Sequence, residues 1–183
     1  MVFRRRPREE PDPLAHIDPA AAPPRFARAV DEALAARHRF RELLEGLRPG
    51  PVRDRLTAMA PRVDAGVQAV WDAAHRAGEM ERVLATLEPD RVTDEYKQAR
   101  RSGAEATVMA AHEARFQSVQ RMLNTIEDID ERLRVLDVRL DAAVARAAEV
   151  ALGSGVGADE LDAELTDVVD ELGALRSALD EVL

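Results

Sequence analysis

The sequence predicts an all-α fold: an elongated antiparallel helical bundle with a coiled-coil hairpin, about four helices in all, one of them long and central. Three observations carry this. The last third of the chain spaces its apolar residues alternately three and four apart. The first run is Val119, Met122, Ile126, Ile129, Leu133, Leu136, Leu140, Ala143, Ala147 and Val150, and the second is Leu161, Leu165, Val168, Leu172, Leu175, Leu179 and Val182. Such spacing returns side chains to one helical face and forms a coiled-coil seam. Between the runs stands Gly153-Ser154-Gly155-Val156-Gly157, whose glycines end a helix and let the chain reverse. Composition agrees: Ala, Leu, Arg and Glu abound, while six aromatics (Phe3, Phe26, Phe40, Trp71, Tyr96, Phe116) cannot fill a globular core.

Residues 1–24 read as a disordered tail, because Pro7, Pro11, Pro13, Pro19, Pro23 and Pro24 remove backbone donors and break any helical period. Helix one spans about 25–45, with Phe26, Val30, Ala33, Phe40 and Leu44 on one face and Arg37 interrupting it. Pro49-Gly50-Pro51 forces a turn. Helix two spans about 51–87, with Val63, Val67, Val70, Ala74, Ala77, Met80, Leu84 and Leu87 as its stripe, and at Pro61 either a kink or a short leading turn and a fresh start is expected.

Glu88-Pro89-Asp90 is expected to reverse the chain into helix three, about 89–152. Ser102-Gly103-Ala104-Glu105 bends that helix without ending it, and Ser102 with Glu105 fits a capping box. Helix four spans about 158–182, with acidic residues at the positive end of its dipole.

Turn positions set the register. A fold about Glu88-Pro89 places Trp71 near Ala106 and Val63 near Ala114. A fold about the glycine turn makes paired residue numbers sum to about 310, which sets Leu165 near Ala145–Ala147 and Leu179 near Glu131. The bundle of residues 25–183 then divides into a three-helix section, 25–126, and a coiled-coil hairpin, 127–183. The competing arrangement breaks helix three sharply near Asn124-Thr125 and gives a compact four-helix bundle. No Gly or Pro stands there, so continuity is the expectation.

Charge is polarised along the chain. Residues 1–62 carry a net +4, residues 63–126 a net −2 and residues 127–183 a net −11. An acidic C-terminal half repels phosphates and argues against a nucleic-acid partner. There is no Cys, so neither disulfides nor thiolate metal sites arise. Lys97 is the one lysine among 26 basic residues, a bias expected of a GC-rich bacterial genome. No apolar run is long enough to span a bilayer, and no apolar stretch follows the N-terminal arginines as in a signal peptide. The expected location is the cytoplasm, with the inner face of the membrane as an extension of it.

No catalytic constellation emerges, so the expectation is a protein that is not an enzyme and needs no cofactor. The glycine turn lacks the Lys-Ser/Thr of a phosphate loop and joins helix to helix. Asp72-Ala-Ala-His75 is one approximate copy of a motif that di-iron bundles use twice, so no metal ligand is assigned. His112 is expected half-buried, and Trp71 is expected in the core.

Two features point to partners. Helix four is nearly single-signed, with Asp167, Asp170 and Glu171 on its outer side, and suits a basic protein partner. Next to the seam residues Leu133 and Leu136, Val135 and Val138 widen the apolar stripe beyond what one partner helix covers. These seven residues form the expected partner-binding surface, and a homodimer is the expected assembly. The function expected is that of a non-enzymatic helical scaffold or interaction module that self-associates through the hairpin. The alternative is a peripheral membrane protein in weak contact with anionic lipid through Arg4, Arg5, Arg6 and Arg8.

Overall fold

The computed structural model describes residues 12–153 and 157–180. Among them every long element is helical: α1 Ala27–Gly46, α2 Pro51–Thr86, α3 Pro89–Ser102, α4 Ala106–Leu152 and α5 Ala158–Asp180. The fold is thus the all-α bundle that the periodicity implies, with five helices instead of four. The extra helix arises because helix three is divided. Gly103 adopts φ 65°, the left-handed conformation that ends a helix, and Glu105 is extended before α4 begins. The capping box does not form: the Ser102 hydroxyl donates back to the Ala99 carbonyl at 3.2 Å. α2 runs unbroken through Pro61.

The break moves the reversal of the chain. Glu88 takes φ 51°, and Pro89 at the first position of α3 restarts the helix at once. The chain does not turn back there. It turns at Gly103, so α3 lies against the start of α4, with Arg115 on Glu95 at 3.0 Å and Tyr96 stacked on Phe116 at 4.6 Å. α2 keeps the same register on α4, because Arg25 bridges Glu81 of α2 and Asp130 of α4. In each case the paired numbers sum to about 211, and the expected neighbours of Trp71 and Val63 near Ala106 and Ala114 are displaced accordingly.

The register of the last two helices stands as expected. Arg139 pairs with Glu171, and Arg146 with Glu164 at 2.5 Å, each pair summing to 310. Within the first apolar run, Val119, Ile126, Ile129, Leu133, Leu136, Leu140, Ala143 and Ala147 are buried. In the second, Leu161, Leu165, Val168, Leu172 and Leu175 are buried. The middle of the glycine turn and Val182 lie outside the described residues, as does the side chain of Leu179.

This hairpin does not stand apart as a two-helix section. α5 packs on α2 as well as on α4, with Arg62 on Asp162 at 2.7 Å and Gly66 beside Val169. α1 packs on α2 and α4. A compact four-helix section of α1, α2, α5 and the C-terminal part of α4 therefore forms without any break at Asn124. The two-helix part lies at the other end: α3 and the start of α4 extend as an arm. α3 offers only Val92, Tyr96 and Ala99 as a narrow stripe, enough to cover one helix and no more.

Residues 12–24, expected to be part of a disordered tail, form an ordered strap. Leu14, Ile17 and Ala22 are buried in the common core. Pro23 sits against Gly78, where an added Cβ would come within 2.3 Å of the proline ring. Asp12 and Asp64 close on Arg37, which is 8% exposed, so the charged residue that interrupts the α1 stripe is the clasp of the strap. The tail's remainder, including Phe3, Arg4, Arg5, Arg6 and Arg8, lies outside the described residues.

Candidate interaction face

Among the described residues α4 packs against α1, α2, α3 and α5. Its a and d positions point inward, so Leu133 and Leu136 are each 1% exposed and belong to the core. That removes them from the expected surface: a seam residue inside a four-helix section has no free side. Val135 and Val138 remain on the outward side of α4, 50% and 66% exposed. Their burial elsewhere would be favourable by roughly 25 cal/mol per Å² of apolar surface.

Polar seams flank this outward side. Toward α5 run the Arg139–Glu171 and Arg146–Glu164 pairs. Toward α1 run Arg39–Asp141 and Arg25–Asp130. Glu171 is therefore spent on a local pair, whereas Asp167 and Asp170 are exposed on α5. Asp162 and Glu164, also on that acidic helix, are held by Arg62 and Arg146. The acidic face is partly neutralised by arginines of α2 and α4.

The α1–α4 seam opens into a groove lined by Arg25, Arg28, Ala29, Glu32, Asp130, Arg134, Asp137 and Val138. In it, Glu32 and Asp137 bring two carboxyls within hydrogen-bonding reach of each other. Partial burial, then Glu32 itself and Asp141, push the Asp137 carboxyl up to about 7 from an ordinary 3.8. Arg28, which holds Glu32 at 2.7 Å, keeps the Glu32 carboxyl below its usual range. Below about pH 7 the two groups hold one proton between them. Sequence reasoning gives no hint of this pair, since its members are far apart in the chain and neither carries a local motif. Only the register of α1 on α4 reveals it.

Elsewhere the groups singled out from sequence are dispersed. Trp71 is half-buried against the core, with the His75 ring 4.0 Å from it at 54°. The Nε2 of His75 is enclosed without a hydrogen-bond partner. His112 is half-buried on the arm. Among the described residues no three His, Asp or Glu side chains converge as metal ligands, and no helix is long and apolar enough to cross a membrane. The chain matches no protein-family model, no characterised protein and no solved structure.

Proposed function

We propose that the protein is a non-enzymatic helical scaffold that self-associates through the outward face of α4. One observation carries the reading. Among the described residues the exposed large aliphatic side chains Val52, Val83, Val108 and Leu152 stand singly, whereas Val135 and Val138 stand one turn apart, in the middle of the helix that joins the four-helix section to the arm. Paired exposed aliphatics on a rigid, well-packed helix are the centre of a helix-in-helix contact, and the charged pairs on both flanks make a polar rim. Docking this face on a second copy leaves the arm and the exposed carboxylates Asp167 and Asp170 free for other partners. The expected cytoplasmic setting suits a Cys-free chain.

Light scattering at micromolar concentration tests this: a mass twice that of the 20.2 kDa chain is expected, and Val138→Asp is expected to return it to the monomer with helicity unchanged. A monomeric wild type refutes the reading. The membrane alternative rests on Arg4, Arg5, Arg6 and Arg8 in the sequence alone. Sedimentation with anionic liposomes, lost when residues 1–11 are removed, would favour it over the scaffold reading.

A further inference from the structure

The outward face of α4 carries more than its two valines. Beside Val138, in the groove shared with α1, lies the Glu32–Asp137 carboxyl pair. Nearly every charge around it is engaged. Arg25 bridges Glu81 and Asp130, Arg28 holds Glu32, Arg39 holds Asp141, and Arg134 reaches Asp130. Of Glu32, Asp130, Asp137 and Asp141, Asp137 alone makes no ion pair among the described residues. Arg134 is the converse. It shares Asp130 with Arg25, and its own side chain is 72% exposed at the mouth of the same groove.

We propose that a second copy supplies the missing cation: two α4 helices cross antiparallel about a two-fold axis between Val135 and Val138, and each copy's Arg134 enters the other's Glu32–Asp137 pair. The inference rests on the self-association reading above and names its polar half. The geometry is self-consistent. An axis placed there sets Val135 of one copy against Val138 of the other, twice over. Arg134 and Asp137 each precede one of those valines by a single residue, so the same crossing brings them within one helical turn of each other.

Both residues lie on the α1 side of α4, and in an antiparallel two-fold contact that side faces its own symmetry mate. A guanidinium is the group suited to two adjacent carboxyls, because its fork of donors reaches both at once. The charges facing Asp137 are Glu32 and Arg28 from α1, Arg25 just ahead of it, and Asp130, Arg134 and Asp141 from α4 itself. An arriving guanidinium favours ionised Asp137, so association strengthens as pH rises through 7 and weakens below it.

A charge exchange tests the wiring on the full chain. Asp137→Arg and Arg134→Asp are each expected to weaken self-association at least tenfold, because each sets like charges opposite one another twice. Mixed in equal amounts, the two variants are expected to form a heterodimer with both pairs restored, and the double variant is expected to dimerise again. Circular dichroism of each single variant reports whether it is folded, and recovery on mixing excludes a folding defect as the cause. If both single variants dimerise like the wild type, the pairing is overturned while the self-association reading stands. If both are monomeric and the mixture stays monomeric, the pairing is overturned as well. If the wild type is itself monomeric, both readings fall.

Discussion

Arg37 shows what a single residue conceals in a sequence. On the α1 stripe it interrupts an apolar face; in the fold it is 8% exposed and held by Asp12 of the strap and Asp64 of α2. Arg41 adds a second contact to Asp64 at 3.2 Å. Truncating Arg37 removes the buried cation and leaves Asp12 and Asp64 to Arg41 alone, so Arg37→Ala is expected to cost about 2 kcal/mol in a urea melt. The same clasp gives the strap its pH dependence. The Arg37 guanidinium, with the Leu14 N–H, lowers the Asp12 carboxyl to about 2 from its ordinary 3.8. A depressed carboxylate stabilises the fold fully above its unfolded value, and that stability is lost as pH falls from about 4 through about 2. The amide shifts of Leu14 and Ile17 are expected to move in that window and not above it, and Asp12→Asn is expected to abolish the movement. An unchanged titration in the variant would show that the strap is held by its apolar side chains alone.

At the scale of elements, the seam was legible and one turn was not. The 3-4 spacing of Ile126 through Ala147 and of Leu161 through Leu175 predicts their burial and, with the glycine turn, their register. The reversal between α2 and α4 was misplaced because Glu88-Pro89 and Ser102-Gly103 are both credible breaks, and local chemistry does not say which one turns the chain. The stripe of α3 did contain the answer: Val92, Tyr96 and Ala99 can cover a single helix, which fits an arm and not a four-helix section. Gly103 is at φ 65° with nothing within 4 Å of an added Cβ, so the cost of a side chain there is conformational and not steric. Gly103→Ala is expected to cost about 1 kcal/mol, whereas Gly46→Ala, which lacks a positive φ, is expected to be neutral or stabilising. Equal melts for the two variants would contradict this account of the arm's turn.

For the molecule as a whole, the surplus of apolar surface on the hairpin was legible, and what covers most of it was not. The sequence of α4 demands more than one neighbour. That the chain brings α1 and α2 to it follows from the turn at Gly103, which keeps α2 alongside the later part of α4. What survives as surface is narrower than the sequence implied: Val135 and Val138 without Leu133 and Leu136, and Asp167 and Asp170 without an unpaired Glu171. The polar half of the face, Glu32 with Asp137, was illegible because it exists only once two distant helices are in register.

Whether a second copy covers the outward face of α4 is read by cysteine cross-linking, since the chain has no thiol of its own. Val135→Cys and Val138→Cys protein, mixed and mildly oxidised, are expected to give a covalent dimer, because the proposed two-fold contact would set these positions opposite one another. Val83→Cys is the control, at a valine 43% exposed on α2. Rapid disulfide formation in the mixture and slow formation in the control is the predicted result; cross-linking of the mixture no faster than the control would contradict the account.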